Sequence, residues 1–151
     1  MKIYIDNCCY NRPFDDQRQP RIREETDAVA AIITRAETIG DIILGSDVLL
    51  FEIGKIKDSG KRAEIFSTFN RYVKEKISAD EKIFQRANEI MSASNVKQMD
   101  ALHLASAEFG DADIFLTTDD KLIRACKNLL LRMKVCNPVS YQMEAIKNDE
   151  H

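Results

Sequence analysis

Short apolar runs punctuate the chain at Ile3-Tyr4-Ile5, Ile42-Ile43-Leu44 and Ile114-Phe115-Leu116, with a further strand near Lys134–Cys136. Runs of this length without alternation are the pattern of strands covered on both faces, as in the middle of a parallel sheet. Between them the spacing turns helical. From Arg21 to Ile39, Ile22, Val29, Ile32, Ile33, Ala36 and Ile39 mark a core-facing helix, with Pro20 placed where it can begin and Gly40 where it must stop. Ser46 or Asp47 is placed to cap a helix from about Val48 to Lys57. Another runs from Val96 to Ala107, and one carries Leu122, Ile123 and Cys126. A short helix around Tyr141–Ile146 closes the fold and leaves 147–151 as a frayed tail. Strands alternating with helices predict an α/β chain with a parallel sheet, in one domain spanning 1–146.

Two stretches read differently. Tyr10–Asp16 is polar and contains Pro13, so a loop is expected there, with Arg12 able to reach a phosphate. From about 60 to 94, Ile65, Phe66, Phe69, Tyr72 and Val73 make one helical stripe, and Ile83, Phe84, Ala87, Ile90 and Met91 make another. Ser78-Ala79-Asp80-Glu81 matches a capping box between them, so a packed helical hairpin is expected. Lys55, Lys57, Lys61, Arg62, Arg71, Lys74 and Lys76 concentrate positive charge in this region, where Glu64, Glu75 and Glu81 balance it. Such a cluster reads as a solvated helix face before it reads as a nucleic-acid surface.

The polar positions that break the apolar pattern are acids. Asp6 ends the first strand, and ligands of open α/β sheets bind outside the carboxyl ends of the strands. Asp119 and Asp120 follow the third apolar run in the same way. Glu52 lies four residues from both Val48 and Ile56, on the apolar side of its helix, and Asp100 shares a stripe with Leu104 and Ala107. Each has a structural reading: an Asx turn for Asp6, a buried ion pair for Glu52, first-turn dipole compensation for Asp100, and capping for Asp119 or Asp120. His103, one turn from Asp100, reads as a satisfied partner rather than a ligand. If the four acids converge, like charges raise one another's pKa, and a divalent cation resolves the conflict. Oxygen ligands without a Cys or His set select Mg²⁺ or Mn²⁺, which suits attack of water on a phosphodiester.

Composition narrows the classes. A chain of 151 residues, 44% apolar and 31% charged, has the balance of a soluble globular domain. A formal charge of −3 is not the footprint of bulk electrostatic grip on nucleic acid, so a polyanion partner needs a local basic patch or bound cations. Cys8, Cys9, Cys126 and Cys136 lack zinc-knuckle spacing and read as reduced packing residues. No basic leader or membrane-length apolar run occurs, and a cytoplasmic location without membrane contact is expected.

The order Ile-Tyr-Ile-Asp6, Ser46-Asp47-Val48-Leu49-Leu50-Phe51-Glu52, Met99-Asp100-Ala101-Leu102-His103-Leu104-Ala105 and Phe115-Leu116-Thr117-Thr118-Asp119 resembles the PIN-domain family, in particular its VapC-like toxins. The resemblance spans nearly the whole chain. It implies a three-layer α/β/α fold, a central parallel sheet flanked by helices, and a Mg²⁺- or Mn²⁺-dependent endoribonuclease. It implies Asp6, Glu52, Asp100 and Asp119 as the acidic site, with Asp6, Asp100 and Asp119 on the metal and Thr117, Thr118 and Asp120 in supporting positions. It further implies an RNA substrate, a homodimer and an antitoxin protein whose basic segment enters the acidic pocket. Two other readings stand beside it. One is a PIN module that acts in RNA processing or binds RNA or protein without cutting. The other is a phosphatase with Asp6 as nucleophile, which Asn7-Cys8 disfavours because no second acid follows two residues on.

Overall fold

The computed structural model describes residues 1–149. Its sheet comprises β1 (Lys2–Ile5), β2 (Ile42–Ser46), β3 (Val73–Ile77), β4 (Ile114–Leu116) and β5 (Lys134–Cys136). The spatial order is β3-β2-β1-β4-β5, with every neighbouring pair parallel. The opening strand β1 therefore takes the centre, where Tyr4 is opposite Leu44 on one side and Phe115 on the other. Because successive side chains leave a strand on opposite faces, Ile3 and Ile5 enter one core and Tyr4 the other.

Eight helices among the described residues cover the two faces, making the three layers α/β/α. The Ile3/Ile5 face packs on α1 (Asn7–Asn11), α2 (Pro20–Ile39), α3 (Asp47–Gly54) and α4 (Ser59–Tyr72), with Tyr141 of α8 (Pro138–Asp149) against it. The Tyr4 face packs on α5 (Glu81–Ala93), α6 (Gln98–Phe109) and α7 (Asp120–Cys126). Gly40 ends α2 with φ 81°, a left-handed conformation that costs glycine little. No helix among the described residues is long and apolar enough to cross a membrane.

Five expectations change. The polar loop after Asp6 is instead the short helix α1 followed by a single 3₁₀ turn at Arg12–Phe14, because Asp6 caps it and Cys9 and Tyr10 are drawn into the core. Arg12 is committed to Asp15 and Glu25 rather than free for a phosphate. The helical hairpin is absent: Val73-Lys74-Glu75-Lys76-Ile77 forms edge strand β3, which leaves α4 and α5 on opposite faces of the sheet. Its charged centre suits a helix equally well, but the open edge of β2 offers a full ladder of backbone partners, and that decides it. Close approach on this side requires Gly45, where an added Cβ would lie 2.5 Å from the Phe69 ring. The residue that caps α5 is Asp80, which accepts from the Ile83 amide, not Ser78. At the other end α8 continues to Asp149, so 147–149 are helical and the remainder of the expected tail, 150–151, lies outside the described residues.

Candidate metal centre

The carboxyl ends of β1, β2 and β4 meet at one edge of the sheet, and Asp6 stands at its middle. The Asp6 amide extends the ladder by donating to the Leu116 carbonyl at 3.0 Å, and this fixes the backbone from which the carboxylate projects. Its Oδ1 accepts the Asn7 amide at 2.8 Å, and its Oδ2 accepts the Thr117 hydroxyl at 2.9 Å. The side chain is 8% exposed. Asp6 thus caps α1, as its Asx-turn reading requires, while standing in the crevice that the strand ends define. Cys8 joins the two strand ends: its Sγ lies 3.5 Å from Asp6 Oδ2 and accepts the Thr118 amide at 3.3 Å.

Glu52 projects from α3 and meets no Lys or Arg. Its Oε1 is 3.0 Å from Nε2 of His103 on α6, and the same nitrogen is 3.9 Å from Asp6 Oδ1. Ligand atoms of Asp6, Glu52 and His103 lie within 4.8 Å of one another. Behind His103, its Nδ1 is 2.6 Å from the Tyr4 hydroxyl, which is 2.7 Å from Ser46 Oγ. Ser46 Oγ in turn caps α3 by accepting the Leu49 amide at 3.0 Å. His103 is the functional neighbour that sequence reasoning set aside. The signal was its position three residues after Asp100, which on a helix puts both on one face.

Asp100 and Asp119 line a cleft of about 590 Å³ between α6 and α7, whose wall also carries Lys97, Lys121 and Arg124. Asp119 Oδ1 caps α7 by accepting the amides of Lys121 and Leu122. The Asp119 amide donates to Thr117 Oγ1, so Thr117 links Asp6 to Asp119. Thr118 is buried and contributes its backbone, its amide to Cys8 and its carbonyl to Arg21. Asp120 is not brought in: Arg21 holds it through two bonds of 2.7 and 2.8 Å, outside the crevice.

The acids sense one another. Burial, first, then the charges of Asp6, Asp119 and Glu52 push the Asp100 carboxyl up to about 6, against an opposing pull from His103. Burial works against a charged His103, yet its bond to Glu52 and the charges of Asp6, Glu52 and Asp100 outweigh that and raise its pKa. No Lys or Arg side-chain nitrogen lies within 4.0 Å of any of the four carboxylates among the described residues. A group of acids compensated only by neutral donors and one imidazole is a place where a cation is stabilised.

The fold and site define a class: a parallel α/β/α sandwich with acids at the carboxyl ends of its central strands. The chain belongs to the PIN domain family, whose family model matches residues 3–128. PIN domains are generally nucleases. A similar solved structure is that of VapBC2 from Rickettsia felis bound to a DNA fragment from their promoter, at 12% identity and a TM-score of 0.55. That similarity covers 91% of this chain and 98% of the other, and at this identity it speaks for the fold. No curated protein sequence matches the chain.

Proposed function

We propose that this protein is a divalent-cation-dependent endoribonuclease, with Mg²⁺ or Mn²⁺ as cofactor, acting as the toxin of a type II toxin–antitoxin pair in the cytoplasm. One observation carries the reading: among the described residues no Lys or Arg side chain pairs with Asp6, Glu52, Asp100 or Asp119, and Asp100 is pushed up to about 6 by burial and then by the charges of the other three. Carboxylate oxygens suit a hard cation, and among the described residues the ligand atoms that lie closest together are those of Asp6, Glu52 and the His103 imidazole. Asp6, Asp100 and Asp119 would hold the ion, with Glu52 beside them. When bound, the ion stabilises charge developing at phosphorus and activates water.

The chain's own residues prepare the rest. Asn7 and Thr117 each donate to one oxygen of Asp6, so its carboxylate is oriented before any ion arrives. The same threonine holds the Asp119 amide, tying the two strand ends into one unit. Lys97, Lys121 and Arg124 on the cleft wall carry the charge that an incoming phosphate backbone needs, which the net charge of −3 does not supply. An antitoxin partner, supported by the fold's likeness to the VapBC2 structure, and a homodimer complete the reading.

The test is cleavage of a mixed single-stranded RNA pool by antitoxin-free protein with Mg²⁺, Mn²⁺ or EDTA, alongside Asp6→Asn and Asp100→Asn. Cation-dependent cutting that both variants lose is expected. No cutting by the wild type, together with no cation binding by calorimetry, would replace this reading with a PIN module that binds without cleaving.

A further inference from the structure

Ser46, Tyr4 and His103 form a closed line behind Glu52, and each is at most 1% exposed. Water does not reach the line, so its protons must be accounted for by the protein groups alone. Ser46 Oγ already accepts the Leu49 amide at 3.0 Å, and its other bonded neighbour is the Tyr4 hydroxyl at 2.7 Å. The serine proton therefore goes to Tyr4 Oη. Tyr4 then has one proton left to donate and one acceptor in reach, His103 Nδ1 at 2.6 Å. Nδ1 is an acceptor, so the ring proton sits on Nε2, where it faces Glu52 Oε1 at 3.0 Å.

We infer that Ser46, Tyr4 and His103 are a positioning relay that fixes the Nε2–H tautomer of His103 and thereby pins Glu52, and that His103 is not itself a metal ligand. An imidazole that ligates through Nε2 must lack a proton there. It would have to donate from Nδ1 to Tyr4, and the proton of Ser46 would be left buried with no acceptor. The acids do pull His103 towards a second proton, but a proton on Nδ1 meets the same obstruction at Ser46. The relay leaves Glu52 Oε2 with no protein donor among the described residues, so that oxygen is the one available to the crevice. It also couples the site to the centre of the sheet, because the Tyr4 ring stacks on Phe115 at 5.2 Å and 9°.

The role assigned to Glu52 rests on the nuclease reading; the tautomer does not. The chain contains two histidines, so ¹⁵N-histidine labelling with one His103 variant assigns the signals. Two-bond ¹H–¹⁵N correlations are expected to show His103 protonated at Nε2 and bare at Nδ1, with and without Mg²⁺. Tyr4→Phe keeps the ring and removes the donor; it should shift the tautomer towards Nδ1–H and weaken Mn²⁺ binding by roughly tenfold. His103→Leu should weaken Mn²⁺ binding similarly, and His103→Gln, which retains an N–H for Glu52, should recover most of it. Circular dichroism checks that each variant is folded. A wild-type Nδ1–H tautomer, or a folded Tyr4→Phe protein with unchanged tautomer and Mn²⁺ affinity, overturns the relay. Absence of RNA cleavage with the tautomer as expected counts against the nuclease and leaves the relay standing.

Discussion

Two sets of acids in this molecule are treated in opposite ways, Glu25 and Glu108 on one side and the acids of the crevice on the other, of which Asp6 is buried, Glu52 and Asp100 half-buried and Asp119 exposed. Glu25, 1% exposed, receives Arg12 at 2.9 Å, Arg21 at 3.3 Å and the Asn137 amide at 2.6 Å. Glu108, 5% exposed, receives Arg86 at 2.6 Å and the Arg132 backbone amide at 3.4 Å. Each is a structural anchor whose charge is matched inside the fold: Glu25 ties α2 to the loop before α8, and Glu108 ties α6 to α5. Asp6 is buried to a similar degree, yet among the described residues it, Glu52, Asp100 and Asp119 meet no guanidinium or ammonium. Depth of burial therefore does not distinguish Asp6 from a structural acid. The missing cation does, because a desolvated carboxylate without a counter-charge is stable only if something outside the chain supplies it.

Exchanging one member of each set gives the sharpest contrast. Asp6→Asn keeps the shape and removes the charge, and RNA cleavage is expected to fall by about 10³-fold while the urea midpoint holds or rises. Glu25→Ala should do the reverse: it removes the carboxylate shared by Arg12, Arg21 and Asn137 and lowers stability by about 3 kcal/mol in urea denaturation, with calorimetric Mg²⁺ binding retained.

A smaller effect appears in the pH dependence of the cation-free protein. With Asp100 raised to about 6 from the ordinary carboxyl value of 3.8, the folded state holds more protons than the unfolded state between about pH 4 and pH 6. The contribution of Asp100 to stability is then greatest below that window and is lost as pH rises through it, so Tm should fall on going from pH 4 to pH 7. Mg²⁺ or Mn²⁺, and separately Asp100→Asn, should flatten this part of the profile; a slope unchanged by both would break the link between Asp100 and the other acids. Glu25 and Glu108 variants should retain it. Smallest of all is Asp120→Asn: Asp120 is exposed and held by Arg21 away from the crevice, so cleavage and Tm are both expected to match the wild type.

The distinction between the two sets was only half visible in the chain. Asp6, Glu52, Asp100 and Asp119 stood out because each interrupts or ends an apolar pattern, and a strand end or inward helix face is a local property. Glu25 did not stand out, because Arg12 and Arg21 reach it from different turns and Asn137 from 112 residues away. Asp119 and Asp120 are adjacent in sequence, and the choice between them was made by Arg21, 99 residues from Asp120.

What the chain determined alone was whatever a few neighbouring residues can dictate: the buried runs of β1, β2 and β4, the stop at Gly40, and the acids at the strand ends. Tertiary structure decided what depends on partners distant in sequence. Val73–Ile77 became a strand because the edge of β2 was open to it, and Asn7–Asn11 became a helix because the core accepted Cys9 and Tyr10. His103 became the neighbour of Glu52 because α6 and α3 bring them to 3.0 Å across 51 positions. Periodicity reports which face a residue presents; which groups meet there is set by packing, and a hydrogen bond has no signature in a sequence until both of its ends have been brought together.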